Sequence, residues 1–226
     1  MTHGNGLSVL IPSKTASNVF PCIRAVQKHE PDARIIVIDD GVDWQHEASR
    51  DLIQPVYRIE GVKPFVFARN VNLGIVASEY DDVIVLNDDA LLESPGGFTL
   101  MQQAAEDYPE FGIIGAVTNL TGQPLQRPHG VGLRQVPHIA FVCVLIPRRT
   151  IDQVGMLDER YRLDYGVEDR DYCEAVNRAG LKVGVHDHCY VDHGSLWSSF
   201  RGDPKQPKSF QQNYALFLEK WGPEAA

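Results

Sequence analysis

The chain has 226 residues, of which 43% are hydrophobic and 23% charged, and its formal net charge is -9. This composition is typical of a globular protein and argues against a chain that is disordered throughout. Duplex nucleic acid is bound largely by neutralising its phosphates, so an acidic chain without long runs of Lys or Arg is not expected to be a general nucleic-acid binder.

Strand-like and helix-like segments alternate in the first ninety residues. Residues 7–11, 34–38, 56–59 and 83–86 are predicted strands, and residues 18–29 are a predicted helix. The strand segments are apolar at consecutive positions, which is typical of strands buried on both faces in a parallel sheet covered by helices. The order of the elements therefore predicts an α/β architecture, and no linker divides the chain into independent domains.

Polar residues follow three of these predicted strands at their carboxyl ends. They are Ser13 after the first strand, Asp39 and Asp40 after the second, and Asn87, Asp88 and Asp89 after the fourth. In open α/β sheets, ligands bind beyond the carboxyl ends of the strands. The sequence therefore predicts a ligand site at this edge of the sheet.

The second half of the chain is less regular. Residues 113–117, 139–146 and 182–185 are predicted strands, residues 118–137 a loop or hairpin excursion, and residues 167–179 a helix that stops at Gly180. Residues 201–208 are predicted to form a mobile loop, because they include one glycine and two prolines. The loop also has three basic residues, Arg201, Lys205 and Lys208. A last helix is predicted to begin at Ser209, which forms a capping box with Gln212, and to end at Gly222.

From its first residues and its apolar runs, the sequence is not expected to be exported or inserted into a membrane. The first residues, MTHGNG, lack the basic start and apolar stretch of a signal peptide, and no apolar run is long enough to span a bilayer. The four cysteines form no CxxC pair, and three have apolar neighbours, so they are predicted to be small core residues. We therefore expect a protein of the reducing cytoplasm.

The segment from Asn87 to Asp89 has two interpretations. Mg2+ and Mn2+ prefer oxygen ligands, and Asn87 and Asp89 are two residues apart, so they can project together from an extended backbone. Asn and Asp also favour turns through their own hydrogen bonds. The same choice applies to Asp39, which either accepts hydrogen bonds from a base or ribose or simply ends its strand in a turn.

One acidic residue of the helix at 167–179 lies on its inward face. At helical spacing, Asp169 shares a stripe with Tyr172, Cys173 and Val176. Acidic residues in a first helical turn are favoured by the helix dipole, which explains Glu168 and Asp171 better than it explains Asp169. Asp169 is therefore a candidate for a chemical role.

Three of the eight histidines lie between residues 186 and 193. A zinc site formed from His186, His188, Cys189 and His193 is one interpretation, although their spacing matches no common zinc pattern. A plain strand with alternating side chains is another. In a third, only His193 has a role and joins Asp89 at a metal ion.

Taken in order, these segments resemble the GT-A glycosyltransferases, specifically the family-2-like group that includes bacterial rhamnosyltransferases. The resemblance covers roughly residues 7–195 and consists of LSVLIPSK, VIDDG, ARNVNLG, VLNDDA, VGMLDERY with VEDRDYCEAVNRAG, and VDHGS. An ordered set of motifs is a much stronger signal than one motif. The resemblance implies a Rossmann-like fold with a mostly parallel central sheet, flanking helices and a smaller β element on the acceptor side.

The resemblance also implies a hexosyltransferase-type reaction, namely inverting transfer from a nucleotide-diphosphate sugar to an acceptor hydroxyl. It implies that Asp89 and His193 bind Mn2+ or Mg2+ and that Asp169, or Glu168 in its place, is the general base. The residues implied to bind the UDP- or dTDP-type donor are Pro12, Ser13, Asp39, Asp40, Arg69, Asn70, Asn87 and Asp88. Residues 1–90 would form the nucleotide-sugar-binding half, and residues 91–226 the acceptor-binding half, of one domain.

Some features depart from the family pattern. The metal motif begins with Asn87 instead of Asp, and the Arg-Asn-x-Gly segment is stretched between Arg69 and Gly74. Because only one predicted helix follows the last motif, a membrane-embedded polysaccharide synthase is not expected. The acceptor is not named by the sequence and ranges over a glycan, lipid, protein, small molecule or modified base.

Two alternative functions share the predicted fold. A nucleotidyltransferase usually carries a Gly-rich loop after its first strand, whereas residues 12–18 contain no glycine. A non-catalytic nucleotide- or sugar-binding module needs no base, and the inward position of Asp169 argues modestly against it.

Overall fold

A computed structural model describes residues 6–161, 166–197 and 206–225, and these residues form nine β-strands and six α-helices. The strands are β1 Leu7–Ser13, β2 Arg34–Asp39, β3 Tyr57–Glu60, β4 Asp82–Leu86, β5 Leu91–Leu92, β6 Phe111–Thr118, β7 Leu133–Val136, β8 Cys143–Ile146 and β9 Lys182–Asp192. The helices are α1 Ala16–His29, α2 Phe67–Ala77, α3 Gly97–Asp107, α4 Arg148–Val154, α5 Glu168–Arg178 and α6 Gln206–Trp221.

All nine strands belong to one sheet, in the order β3-β2-β1-β4-β8-β6-β9-β5, with β7 also paired to β9. Strands β3, β2, β1 and β4 are parallel neighbours, and β8 is antiparallel to both β4 and β6. Strand β9 is parallel to β6, so six of the nine strands run in the same direction. The predicted mostly parallel α/β fold is confirmed, and the smaller β element, β5 and β7, is continuous with the main sheet.

Helices cover the sheet on both faces, as the uninterrupted apolar runs predict. On β1, Val9 and Ile11 pack into a core with α1 and α3, whereas Leu10 packs on the opposite face with α2 and α5. Ile35 and Ile36 of β2 divide between the two cores in the same way. Burial on both faces leaves the loops at the strand ends as the part of the sheet that is open to ligands.

Several predicted boundaries in the second half were wrong. Only Cys143–Ile146 of the predicted strand 139–146 is a strand, whereas the segment 118–137, predicted as a loop or hairpin excursion, contains the strand β7. Strand β9 continues through the histidine segment to Asp192, because β6, β7 and β5 supply its hydrogen-bonding partners.

The last helix begins earlier than predicted. Ser209 is buried inside α6 and is not its N-cap, because Pro207 fits the first turn of a helix, where its missing N–H is not needed. The predicted end is confirmed: α6 stops at Trp221, before Gly222 with a φ of 86°. Of the cations of the predicted loop, Lys208 is exposed on α6, and Arg201 and Lys205 lie outside the described residues.

None of the helices among the described residues is long and apolar enough to cross a membrane.

Candidate functional site

The carboxyl ends of β1, β2 and β4 meet at one edge of the sheet. The hydroxyl of Ser13, at the end of β1, donates a hydrogen bond of 2.6 Å to the carboxylate of Asp88. The backbone N–H of Asp40, after β2, donates to the carbonyl of Ser13 at 2.8 Å. Parallel pairing of β1 with both neighbours brings these predicted residues together.

Asp89 and His193 also lie together, although 104 positions separate them in the sequence. A carboxylate oxygen of Asp89 lies 3.2 Å from Nε2 of His193, and the Asp89 residue is only 3% exposed. The other ring nitrogen of His193, Nδ1, lies 2.8 Å from the backbone carbonyl of Leu120. The predicted approach of these two side chains is therefore present in the structure, and their role in metal binding stays a prediction.

The position of His193 depends on Asn119, which the sequence did not single out. The side-chain oxygen of Asn119 accepts from the backbone N–H of His193 at 2.9 Å, and its amide donates to Asp192 at 2.7 Å. Asp192 in turn accepts from the N–H of Gly194 and from the hydroxyl of Ser195. The turn after β9 is thus built by its own hydrogen bonds and fastened to the end of β6.

Asp88 combines burial with a second carboxylate nearby. Burial raises its pKa to about 6, and the charge of Asp89 adds to this, while hydrogen bonds from Ser13 and Asn18 oppose it. The side-chain amide of Asn18 also donates to the carbonyl of Trp197 at 2.9 Å. Whether these two adjacent acidic groups hold a cation stays a prediction.

Asp39 organises the loop after β2. Its carboxylate accepts hydrogen bonds from the N–H groups of Val42 at 2.8 Å and Gly41 at 2.9 Å and from the Trp44 indole at 2.6 Å. Burial alone would raise its pKa, but these hydrogen bonds and the charge of Arg58 outweigh it, so the pKa lies below the ordinary value. The turn interpretation therefore describes part of its role, and a contact with a nucleotide stays a prediction.

The segment around Arg69 and Asn70 has structural contacts that the sequence did not predict. Nε of Arg69 pairs with a carboxylate oxygen of Glu159 at 3.1 Å. Asn70 is fully buried, and its carboxamide binds the backbone of Val62 and Val66. Both polar groups of the Asn70 side chain are therefore occupied within the protein, and the roles of Arg69 and Asn70 toward a donor stay predictions.

The remaining predicted donor residues lie along the same edge. Pro12 is buried within β1, and Asn87 donates its backbone N–H to the carbonyl of Val142 at 3.0 Å. One carboxylate oxygen of Asp40 is buried without a hydrogen-bond partner among the described residues. Whether these groups contact a nucleotide stays a prediction.

The candidate base lies at the start of α5, directly after an unusual backbone corner. Gly166 and Val167 have φ angles of 91° and 88°, and a positive φ is rare for a β-branched residue. Burial raises the pKa of Glu168 to about 8, and the charges of Asp169 and Asp171 raise it further, while its own backbone N–H opposes the shift. Burial also raises the pKa of Asp169, despite hydrogen bonds from backbone N–H groups that include that of Arg170 at 2.7 Å.

A short segment connects this corner with the metal motif. The backbone N–H of Phe141 donates to the Asp169 carboxylate, and the carbonyl of the next residue, Val142, accepts from Asn87. Two residues span at most about 7 Å of chain. The carboxylate of Asp169 and the end of β4 are therefore near each other, joined through residues 141–142.

The zinc interpretation of the histidine segment is not supported. Cys189 is fully buried in the core, and the rings of His186 and His188 pair with each other at 5.5 Å. Within residues 6–161, 166–197 and 206–225, no three His, Cys, Asp or Glu side chains are grouped closely enough to hold a metal ion by themselves.

No protein-family model matches the chain, and no curated protein matches it. Among solved structures, it is similar to GalNAc-T7 with UDP, GalNAc and Mn2+, with a TM-score of 0.77 and 14% identity over 100% of this chain and 49% of that one. It is also similar to the mannosyltransferase PcManGT from Pyrobaculum calidifontis in complex with GDP-Man and Mn2+, with a TM-score of 0.66 and 15% identity over 99% and 72% of the two chains. The chain thus has the GT-A fold and spans about half the length of the first of these proteins.

Proposed function

We propose that the chain is a glycosyltransferase that moves a sugar from a nucleotide-diphosphate sugar to an acceptor hydroxyl with inversion at the anomeric carbon. One observation supports this proposal above the others: Asp89 pairs with His193 at the carboxyl edge of a GT-A sheet. The pair lies opposite the two carboxyl groups of α5 whose pKa values are raised by burial. The two similar structures, which contain UDP with GalNAc and GDP-Man, each with Mn2+, support the same class of reaction.

The chemistry of the Asp89–His193 pair fits a divalent cation. When Nδ1 of His193 donates to the Leu120 carbonyl, Nε2 carries a lone pair 3.2 Å from a carboxylate oxygen. Two acceptors at this distance repel each other unless a proton or metal ion lies between them. A backbone carbonyl that orients the second nitrogen is a usual partner of a metal-ligating histidine.

The described residues supply these two ligands and no group of three, so diphosphate oxygens would complete the coordination. Asp89 and His193 would hold the ion there, and when bound it would supply positive charge to offset the negative charge of the leaving nucleoside diphosphate. The chain's own residues would bind and orient the donor around it, with Ser13 and Asp88 near the diphosphate and the Asp39 loop near the base.

Asp169 is proposed as the general base that takes the proton of the acceptor hydroxyl. A base works best when its pKa is close to the operating pH, and burial moves the pKa of Asp169 upward in that direction. Glu168, with a pKa of about 8, is largely protonated at neutral pH, so Asp169 is the better candidate. Inversion follows from a single displacement in which the hydroxyl attacks opposite the leaving diphosphate.

A nucleotide panel tests the donor site. UDP, dTDP, GDP and ADP are each added to the protein with and without Mn2+, and the melting temperature is recorded. A ligand at 100 times its Kd stabilises the folded state by about 2.7 kcal/mol, so the nucleotide that binds should raise the melting temperature. We expect the largest rise from UDP or dTDP with Mn2+. If no nucleotide changes the melting temperature with or without metal, the proposed donor site fails.

The reaction itself is tested by its products. Wild-type protein is incubated with UDP- and dTDP-sugars, and release of nucleoside diphosphate is measured, with water as the default acceptor. A nucleotidyltransferase would instead release pyrophosphate from a nucleoside triphosphate and a sugar 1-phosphate, which are supplied together in a parallel assay. The anomeric configuration of the product sugar, determined by NMR, distinguishes inversion from retention.

A further inference from the structure

The C-terminal helix α6 contacts the backbone corner that precedes the candidate base. The side-chain amide of Asn213, which is fully buried, donates to the carbonyl of Gly166 at 3.1 Å. Phe217 packs with Val167 and Tyr161 in a small core of its own. Helix α6 is thus the element that covers the corner from outside the sheet.

A buried ionic network fastens the end of α6 to the start of α5. Asp171 is 2% exposed and accepts from Lys220 at 2.9 Å, from the indole of Trp221 at 2.6 Å and from the hydroxyl of Tyr161 at 2.8 Å. The same Lys220 ammonium donates to Asp158 at 2.8 Å. A single cation therefore bridges two acidic residues, one on each side of the corner.

This network explains how the corner keeps its conformation. A non-glycine residue at positive φ persists only when its surroundings determine it, and Val167, at a φ of 88°, immediately precedes Glu168 and Asp169. Asp158 and Asp171 flank the segment, and Lys220 holds both. Loss of that cation would remove the link between Asp158 and Asp171 and loosen the corner before the α5 carboxyl groups, although Tyr161 and Trp221 still donate to Asp171.

We propose that Lys220 is a positioning residue for the base, acting through Asp158 and Asp171 and not through contact with substrate. The inference rests on the proposed function, since it concerns how the proposed base, Asp169, is held in position. A displacement of about 1 Å in a reacting group can cost about 10²-fold in rate. Loss of the bridge is therefore expected to lower turnover without changing donor binding.

The test compares Lys220→Met with Lys220→Arg and with Lys182→Met. Lys182 forms a partly exposed ion pair with Glu110 at 3.5 Å at the amino end of β9, so it is a matched control far from the carboxyl edge. We expect Lys220→Met to lower kcat for nucleoside diphosphate release 10- to 100-fold, with the KM for donor and the Kd for nucleotide within twofold of wild type. Lys220→Arg is expected to restore most of kcat, because a guanidinium can bridge both carboxylates.

The proposal is overturned if folded Lys220→Met keeps kcat within twofold, or if its nucleotide affinity falls in parallel with kcat. If Lys220→Met does not fold, Lys220→Gln takes its place, because this shorter, neutral and still polar side chain removes the charge that bridges Asp158 and Asp171. This variant is expected to lower kcat about threefold to tenfold with unchanged nucleotide affinity, and unchanged kcat overturns the proposal.

Hydrogen exchange separates this inference from the proposed function. The amide of Asp171 donates to the carbonyl of Val167 at 2.8 Å and reports on the corner. In Lys220→Met, amides of residues 166–175 should exchange faster, whereas those of β1 and β4 should exchange as in wild type. If wild-type protein transfers no sugar, the proposed function fails, and this exchange pattern still decides whether Lys220 holds the corner. Unchanged exchange overturns the positioning role.

Discussion

Asp169 and Asp89 have different partners in the site, so their amide variants should behave differently. We predict that Asp169→Asn lowers sugar transfer by about 10²- to 10⁴-fold, because the amide keeps the shape but cannot accept a proton. Nucleotide affinity should stay within twofold. Asp89→Asn should weaken Mn2+-dependent nucleotide binding as well as turnover, because it removes the carboxylate that lies 3.2 Å from His193.

The control for both variants is Asp152→Asn, since Asp152 is an exposed residue of α4 that pairs with Arg148. Turnover, nucleotide Kd and melting temperature are measured on all three proteins. A fully active Asp169→Asn would remove Asp169 from the mechanism, and its only remaining effect would be a helix-dipole loss of about 0.3–1 kcal/mol. The same measurements would then be made on Glu168→Gln.

The buried carboxyl group of Glu168 gives a prediction about pH and stability. Its pKa is raised from an ordinary value near 4.5 to about 8, so the folded state prefers the protonated form. The stability that this preference contributes is complete below about pH 4.5 and is lost as the pH rises through 8. The Glu168→Gln variant has no carboxyl group at this position, so it does not lose this stability as the pH rises. The melting temperature of the variant minus that of wild type should therefore increase from pH 4.5 to pH 8 and then level off.

Wild type and Glu168→Gln are compared by thermal unfolding at each pH, so that other titrating groups cancel. Glu174→Gln is the control, because Glu174 lies on the same helix in an exposed ion pair with Arg178. A temperature difference that is constant from pH 4.5 to 8 would show that Glu168 has an ordinary pKa.

Sequence alone predicted the acidic groups at the strand ends and the approach of His193 to Asp89. These residues follow apolar runs and ordered motifs, which fix their place in a parallel sheet. Asn119 and Trp44 could not be predicted in the same way. Asn119 lies in a loop rich in turn residues, where asparagine is common, so its sequence context does not indicate a specific contact. Its position beside the end of β9 is seen only in the folded chain. The catalytic and binding roles of all these residues stay predictions.

At the scale of elements, Asn72 connects α2 to the segment after α4, in addition to the Arg69–Glu159 ion pair. Asn72, 5% exposed, donates to the carbonyl of Leu157 at 2.9 Å and accepts from its N–H at 3.0 Å. Asn72→Ala leaves both buried backbone groups without partners, which typically costs about 1–3 kcal/mol per group. We predict a loss of this order in the free energy of unfolding, measured by urea denaturation.

Asn177→Ala is the matched control, because Asn177 is exposed and its amide donates only to the carbonyl of Pro137. Its effect should stay within about 0.5 kcal/mol, as for most surface substitutions. Equal losses in the two variants would contradict a special role of Asn72.

The elements that escaped prediction did so for identifiable reasons. Helix α2 contains Gly74, which lowers helix propensity, but a Cβ there would lie 3.0 Å from side-chain atoms of Leu10 and Ile38. The glycine therefore allows the helix to pack closely on the sheet without displacing these side chains. The end of β9 has few apolar residues, and its strand conformation comes from pairing with β6 and β5. Both features depend on tertiary contacts that a local pattern does not record.

At the scale of the whole molecule, the predicted halves 1–90 and 91–226 share one sheet and one set of cores. Strand β8 lies between β4 and β6, with Leu86 paired to Cys143. The carboxylate of Glu30, in the first half, accepts from the backbone N–H and the hydroxyl of Thr99 at the start of α3. Neither half buries its apolar surface without the other, which favours a single cooperative unit.

Hydrogen exchange gives the prediction that follows from this arrangement. The slowest amides of β2, in the first half, and of β9, in the second, should open with the same free energy, equal to the unfolding free energy from urea denaturation. The reason is that separating the halves exposes the β4–β8 seam and the cores on both faces at once. The urea titration supplies the unfolding free energy for this comparison. It should show a single transition at the same urea concentration by fluorescence and by circular dichroism. If β9 opened at a clearly lower free energy than β2, the two halves would be separate folding units, and the single-domain interpretation would be wrong.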